Sequence, residues 1–83
     1  MKDLRRVPGV GISIANDLLH IGITSVDQLK GKDPVELFNQ SNQYAGVVQD
    51  RCLLYVFRGA VYFAETPESQ QDPEKLKWWN WKD

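Results

Sequence analysis

The chain has 83 residues and a formal net charge of -1, from ten basic and eleven acidic side chains. This length supports one domain with a small core and leaves no room for separate catalytic and binding domains. A hydrophobic content of 42% argues against disorder. The near-zero net charge argues against a strongly basic nucleic-acid binder.

Cysteine usage and apolar runs indicate the compartment. Cys52 is the single cysteine, so it can form no internal disulfide and cannot bind zinc alone. No apolar run follows the basic residues at the N-terminus, as a secretory signal would require. The longest apolar stretch, residues 52–64, is interrupted by Arg58 and is too short to span a bilayer. We therefore expect a cytoplasmic protein that does not contact membranes.

The first half of the chain predicts short helices separated by glycine turns. Residues 4–7 form a short turn or the end of a first helix, and residues 8–11, Pro-Gly-Val-Gly, form a tight turn. Apolar residues at helical spacing predict a helix over residues 12–21, which Gly22 ends. A further short helix begins at Thr24 or Ser25 and stops near Gly31.

The second half contains the longest predicted helix. Asp33 and Pro34 begin a helix that runs to about Asn39, and residues 41–43 form a polar loop. The longest helix then runs from residue 45 or 46 to Glu65, and its apolar circumference predicts a central position in the fold. After a polar linker over residues 66–71, a short helix begins at Asp72 and Pro73 and carries three tryptophans.

These elements predict an all-α protein, a compact bundle of five to six helices around one long central helix. The chain divides into a helical domain over residues 1–65 and a Pro-containing linker with a Trp-rich arm over residues 66–83. We expect this arm to pack on the same domain.

The glycine turn at residues 8–11 carries the strongest functional pattern. Gly9 and Gly11 let the backbone turn sharply and approach a partner closely, while Val10 inserts between the flanking helices. Ala15 is small where two helices would cross. The backbone N–H groups over residues 9–13 open a helix, so they are unpaired and can receive an anion.

Residues 4–23 resemble the helix-hairpin-helix motif. The resemblance implies an all-α fold of the SAM-like type. It also implies that the anion is a phosphate of the DNA backbone, bound without regard to sequence. It also implies a monovalent cation held by the carbonyl groups of Arg5, Val7 and Val10. Residues 30–34 resemble a second, degenerate hairpin without the Gly-apolar-Gly pattern, and two such units commonly pack into one pseudo-symmetric domain.

Charge supports this site in part. Residues 1–32 carry five basic and three acidic side chains, a local net charge of +2, whereas residues 33–50 carry three acidic side chains and no basic one. Ile12 follows the second glycine where many such hairpins carry Lys, Arg or Pro, and Asp17 lies close enough to repel phosphate. The predicted DNA-binding residues are Pro8, Gly9, Val10, Gly11, Ile12 and Ser13, flanked by Arg5, Arg6, Lys30 and Lys32. The alternative is a turn that only connects two helices.

The aromatic residues of the second half allow two interpretations. Arg51, Tyr55, Arg58 and Tyr62 lie on one face of the long helix, either as a grip for single-stranded nucleic acid or as its half-buried outer stripe. Residues 75–82 combine three tryptophans with three lysines. They stack on bases, occupy a partner's groove, or fold back so that Trp78 and Trp81 cover the small core.

The whole chain is similar to the small bacterial helix-hairpin-helix proteins of the "pathogenicity locus" family. Hairpin residues 4–23, the segment 50–64 and the Trp-rich segment 72–83 carry this resemblance. It implies a bacterial cytosolic protein with a DNA-binding hairpin and no established activity. Some members are labelled mitomycin-resistance proteins, which fits a link to DNA damage. Members often carry a second cysteine where this chain has Gly59.

The sequence predicts no enzyme. His20 is the single histidine and sits at a helix end, where it acts as a cap or a partner of the helix dipole. No metal-ligand cluster or phosphate-binding lysine motif is visible, so we expect no cofactor beyond the monovalent cation. The alternatives are a protein-interaction or self-association module, with a protein partner or a homodimer, and a thiol sensor at Cys52.

Overall fold

Three α-helices joined by single turns of 3₁₀ helix make up the computed structural model, which describes residues 3–82. The α-helices are α1 (Ile12–His20), α2 (Pro34–Ala45) and α3 (Arg51–Glu65). The 3₁₀ turns are Leu4–Arg6, Val26–Leu29, Glu68–Gln70, Pro73–Leu76 and Trp78–Trp81. None of residues 3–82 forms a strand, which confirms the all-α prediction. The outermost residues of the predicted segments 1–65 and 66–83 lie outside the described part.

The prediction of five to six helices is wrong. In the described part of the chain, only three segments are α-helices, and the other five helical segments are 3₁₀ turns of three or four residues. Glycine or proline lies in or within two residues of four of these segments and limits their extension into an α-helix. The fifth, Trp78–Trp81, has neither residue beside it. Much of this chain therefore forms connections that hold α1, α2 and α3 in place.

Helix α1 matches its predicted bounds to within a residue. Gly22 has φ +89°, and the N–H groups of Gly22 and Ile23 donate to the carbonyl groups of Leu19 and Leu18 over 3.1 and 2.9 Å. This pattern is the Schellman motif, which satisfies the last carbonyl groups of a helix. Ala15 and Leu18 are the buried side chains of the helix.

Helix α2 is longer than its sequence suggests. Asp33 caps it by accepting from the N–H of Val35 over 2.9 Å, as predicted, but the helix continues to Ala45. The predicted polar loop at residues 41–43 is therefore wrong. Its polar residues are helical because they bind the following connection: Ser41 Oγ accepts from Gln49 Nε2 over 2.9 Å.

Helix α3 begins at Arg51, so the predicted start at residue 45 or 46 is wrong. Gly46 has φ +76° and ends α2, and Asp50 then caps α3 by accepting from the N–H of Cys52 over 2.9 Å. Val47 and Val48 lie between the helices and are 64% and 84% exposed. The expected central position is correct, since α3 packs against α2, the 3₁₀ turn at residues 26–29 and the C-terminal turns.

One core joins these elements. Its most completely buried large side chains are Leu4, Val7, Leu18, Leu29 and Phe57. They come from the chain segment before α1, from α1 itself, from the 3₁₀ turn Val26–Leu29 and from α3. The radius of gyration is 11.7 Å, close to the roughly 12 Å expected of a folded domain of this length. No helix in the described residues is both long and apolar enough to cross a membrane.

The C-terminal segment lies along α3. Trp81 donates from Nε1 to the Lys75 carbonyl over 2.7 Å, and Arg58 Nη1 donates to the Trp81 carbonyl over 2.7 Å. Tyr62 accepts from the N–H of Asp72 over 2.8 Å. A Cβ atom at Gly59 would lie 3.3 Å from Trp81 Nε1, so glycine gives the indole room to approach the helix. The aromatic stripe of α3 is thus covered by the chain itself.

Candidate functional site: two glycine turns

The first turn, residues 7–11, positions the predicted site. Val10 donates from its N–H to the Val7 carbonyl over 3.1 Å, and Gly9 has φ +88°, a conformation that favours glycine. Val10 is buried at 5% exposure, so its side chain anchors the turn in the core. Gly11 is different: it has φ -92°, and a Cβ atom added there would meet nothing within 4 Å. The fold therefore does not require glycine at position 11.

The N-terminus of α1 is open. Gly11 is its N-cap and has no side chain to cap it, while the Gly11 carbonyl accepts the first helical hydrogen bond from Ala15 over 2.9 Å. Gly9, Gly11, Ile12 and Ser13 are all exposed. Within residues 3–82, none of their four N–H groups has a protein acceptor.

The first turn rests on a tryptophan that the sequence did not connect with it. A Cβ atom at Gly9 would lie 3.5 Å from Cδ1 of Trp78 and 3.9 Å from Cγ1 of Val56. Trp78 packs against the core, and its ring meets that of Trp79 edge-on at 5.8 Å. Trp79 is 50% exposed. Of the alternatives for the tail, the structure contains the one in which Trp78 and Trp81 fold back.

The basic residues of the predicted site divide into two groups. Arg5 and Arg6 are exposed on the 3₁₀ turn before the first turn, and Arg6 Nε lies 2.9 Å from Asp3 Oδ1. Lys30 and Lys32 line a separate groove of about 430 Å³ with Gly22, Ile23, Asp27 and Gln28. Lys30 Nζ lies 3.5 Å from Asp27 Oδ1. The structure does not gather all four around Gly9 and Gly11.

Asp3 links the two groups. Its Oδ2 accepts from the N–H of Val26 over 2.7 Å, at the start of the 3₁₀ turn that leads to Lys30. This backbone hydrogen bond, with the nearby Arg6 guanidinium, holds the pKa of Asp3 below its usual value. The hydrogen bond thereby joins the segment before the first turn to the 3₁₀ turn Val26–Leu29.

The second turn, residues 29–33, repeats the first at an interval of 22 residues. Lys32 donates from its N–H to the Leu29 carbonyl over 3.1 Å, as Val10 does to Val7. Gly31 has φ +76° in the position of Gly9. Both turns lead directly into an α-helix, and the N-cap is Gly11 in one and Asp33 in the other.

The second turn is closed to anions by the protein itself. Glu65 Oε2 accepts from the N–H of Gly31 over 2.8 Å. Asp33 accepts from the N–H of Val35, and Pro34 has no N–H to offer. The N-terminus of α2 is thus occupied by two carboxylate groups of this chain.

A cleft of about 360 Å³ adjoins the first turn between α1, the start of α3 and Trp78. Gly9 lines both the cleft and the turn. The remaining lining residues are Ile14, Asp17, Gln49, Asp50, Cys52, Leu53, Val56 and Trp78.

Cys52 is a half-buried thiol in this cleft, next to Asp50. Its hydrogen bond to the Asp50 carboxylate, together with burial, raises the pKa of the thiol above its usual value. The same contacts, led by the backbone hydrogen bond from Cys52, lower the pKa of Asp50. A raised thiol pKa lowers the thiolate fraction at neutral pH and hence the reactivity expected of a sensor.

His20 packs against α2. Its ring stacks on that of Tyr44 at 4.4 Å between centroids, which joins the C-terminal ends of α1 and α2. No group of three or more His, Cys, Asp or Glu side chains in the described residues has the geometry of a metal site.

Comparison with known proteins identifies relatives. The model of the pathogenicity locus family matches residues 1–83, which confirms the resemblance drawn from the sequence. The mitomycin resistance protein McrB of Streptomyces lavendulae is 41% identical over 63 residues, which cover 76% of this chain and 60% of that protein. The chain thus spans less than two thirds of the length of this curated relative. No solved structure matches the chain significantly.

Proposed function

The chain belongs to the pathogenicity locus family, and we propose that it is a non-catalytic helix-hairpin-helix module that binds the DNA backbone weakly and without sequence preference. The first turn is the hairpin of this proposal, and its phosphate lies on the N–H groups of Gly9, Gly11, Ile12 and Ser13. The second turn is the degenerate hairpin. The proposed location is the bacterial cytoplasm.

The observation that carries the proposal is the open N-terminus of α1. Unpaired N–H groups and the positive end of the helix dipole favour an anion at such a position. Exposure leaves all four donors accessible to a phosphate from outside. At α2, carboxylate groups accept from the N–H groups of Gly31 and Val35, which are equivalent to those of Gly9 and Ser13, and Pro34 has no N–H. Fewer donors are therefore open at α2 than at α1.

Gly11 supports the same proposal. Its backbone conformation suits any residue, and a side chain would find free space within the protein. Glycine at position 11 is explained by a phosphate that approaches the backbone, because a Cβ atom would lie in the path of that phosphate.

The charge distribution makes the proposed binding weak. Arg5 and Arg6 flank the first turn, and Arg6 shares its charge with Asp3. Lys30 and Lys32 lie along a separate groove, where they contact the strand beyond the central phosphate. About two to four phosphate contacts predict a shallow salt dependence, with a slope near -0.9 per phosphate on duplex DNA.

A monovalent cation at the carbonyl groups of Arg5, Val7 and Val10 belongs to the same proposal. The Val7 carbonyl already accepts the hydrogen bond from Val10, and a carbonyl oxygen retains a second lone pair for an ion. Such an ion would add positive charge beside the phosphate.

The name of the curated relative supports a link to DNA damage. That protein is a mitomycin resistance protein and is longer than this chain. We extend only the association with DNA damage to this chain, as the setting in which a backbone-binding module acts.

Two matched substitutions test the proposal. Ser13→Asp and Val35→Asp add the same charge at equivalent positions of α1 and α2, and both positions are exposed. Fluorescence anisotropy with labelled duplex and single-stranded DNA at low salt measures binding. We expect Ser13→Asp to weaken binding about tenfold, because its carboxylate occupies the phosphate position, and Val35→Asp to change it by less than about twofold.

Equal effects of the two substitutions would show that only net charge matters and would reject the first turn as the site. Circular dichroism verifies that both variants remain folded. A carboxylate in the first turn of either helix is favourable to the helix dipole, so neither variant is expected to lose stability.

A protein-interaction module is the second candidate function. Val47, Val48 and Tyr44 are exposed together around the connection between α2 and α3, and Val47 and Val48 line a shallow cavity of about 370 Å³. Neighbouring exposed apolar side chains favour contact with another protein. Sedimentation velocity on the wild type and on Val48→Lys distinguishes this candidate: self-association that Val48→Lys abolishes supports it, and a monomer at all concentrations removes the homodimer.

A further inference from the structure

We infer that the cleft beside the first turn receives one unpaired base of the bound strand, so that this module prefers single-stranded to duplex nucleic acid. The inference rests on the proposed backbone contact at the first turn and names the form of nucleic acid that the turn takes. It assigns a role to a part of the surface that phosphate binding leaves unused.

The position of the cleft carries the first step. Gly9 belongs both to the turn that offers N–H groups to a phosphate and to the wall of the cleft. A nucleotide whose phosphate lies on the turn therefore has its base within reach of the cleft. A base that remains paired and stacked in a duplex cannot enter, because entry requires unstacking.

The chemistry of the walls carries the second step. Trp78 forms one wall next to Gly9, and Ile14, Leu53 and Val56 supply apolar surface. Aromatic and apolar side chains of this kind hold the flat face of a base. The volume of about 360 Å³ falls within the range of roughly 300–1,000 Å³ typical of small-ligand sites.

The polar groups of the cleft carry the third step. Asp17, Gln49 and Asp50 line the cleft and add oxygen acceptors for the amino group of a base such as cytosine. Carboxylate groups repel a phosphate, so they favour the base inside the cleft and the phosphate outside on the turn.

The experiment compares three labelled probes at low salt: oligodeoxycytidylate of about ten nucleotides, a strand of equal length without bases, and a duplex of equal length. We expect the strand with bases to bind at least about fivefold more tightly than either other probe, since stacking of one base contributes about 1–3 kcal/mol. Fluorescence anisotropy on the wild-type protein gives this comparison without any substitution.

Two variants assign the difference to the cleft. Cys52→Phe fills the cleft, and we expect it to reduce binding of the strand with bases to the level of the strand without bases. Val35→Phe adds the same ring at an exposed position of α2 outside the cleft and should bind as the wild type does. Thermal unfolding verifies that both variants are folded.

The outcomes separate this inference from the proposed function. Equal binding of strands with and without bases overturns the base site while leaving backbone binding intact. Binding of the strand with bases that Cys52→Phe does not alter also overturns it. If no probe binds, or if Ser13→Asp has no effect on any probe, the proposed function itself fails.

Discussion

The two glycine turns have the same backbone and opposite surroundings. Both close with a 3.1 Å hydrogen bond between equivalent residues, and both place a glycine at positive φ before an α-helix. The second turn is occupied by Asp33 and Glu65, whereas the N–H groups of Gly9, Gly11, Ile12 and Ser13 have no acceptor within residues 3–82. The proposed anion site therefore depends on which N–H groups the rest of the chain leaves uncapped, rather than on the turn itself.

The two turns also differ in what supports them. Trp78 packs behind Gly9 and leaves its outer side free, while Glu65 binds the N–H of Gly31 directly. Apolar support from behind stabilises a turn without using its donors. A carboxylate stabilises a turn by using a donor. The first arrangement suits a binding site and the second suits a fixed joint.

The largest expected effect comes from removing the support of the first turn. Trp78→Ala should lower the free energy of unfolding by about 2–3 kcal/mol, less than a fully buried tryptophan because the residue is half-buried. This corresponds to a fall in Tm of roughly 10–20 °C for a domain of this size. Thermal unfolding followed by circular dichroism measures it.

The neighbouring tryptophan is the control for this prediction. Trp79 is 50% exposed, so Trp79→Ala should change the free energy of unfolding by no more than about 0.5 kcal/mol. Similar losses in both variants would mean that the general apolar character of the segment, rather than the contact with Gly9, supports the turn.

Exchanging the N-cap residues of α1 and α2 should have an effect of intermediate size on stability. Gly11→Asp gives α1 the cap that α2 has, and it should raise stability by about 0.5 kcal/mol because Gly11 already has a compatible conformation. Asp33→Gly should cost α2 about 0.5–1 kcal/mol for the converse reason.

DNA binding should rank these two variants in the opposite order from stability. Gly11→Asp should lose DNA binding although it is more stable, because its carboxylate occupies the donors of α1. Asp33→Gly should bind as the wild type does, since Glu65 still holds Gly31 and Pro34 supplies no donor. A more stable Gly11→Asp protein that still binds would contradict the proposed site.

The smallest expected effect concerns the link between the turns and depends on pH. The hydrogen bond from Val26 and the charge of Arg6 lower the pKa of Asp3 below its usual value, so its ionised form stabilises the folded state. This contribution is complete above about pH 4 and is lost as the pH falls through the lowered pKa. Asp3→Asn should therefore be less stable than the wild type at neutral pH, with a difference in Tm that narrows on acidification. A difference that stays constant from neutral to acidic pH would show that the carboxylate charge is not involved.

Local signals predicted those parts of the fold that local chemistry determines. Gly22 ends α1, Asp33 and Pro34 begin α2, and the apolar face of α3 places it centrally. The start of α3 was misplaced because Val47 and Val48 extend its apolar pattern backwards. Gly46 and Asp50 carried the correct signal, a left-handed end followed by a cap.

The candidate site was predictable in its residues and not in its surroundings. Residues 8–13 are visible from glycine spacing alone. The contact of Trp78 with Gly9 and the hydrogen bond of Glu65 to Gly31 join residues 69 and 34 positions apart. Only the packing of α3 brings these groups together, and no local pattern encodes that packing.

Gly59 in α3 has a consequence for how this sequence can vary. A Cβ atom there would lie 3.3 Å from Trp81 Nε1, and that indole is fixed by its bond to Lys75. A side chain at position 59 therefore requires the Trp81 indole to move by a few tenths of an ångström. A cysteine there would require the same movement. The seven-residue separation from Cys52 spans about 10.5 Å of helix, too far for a disulfide between the two positions. Substitution at position 59 is thus expected to be coupled to the side chain at position 81.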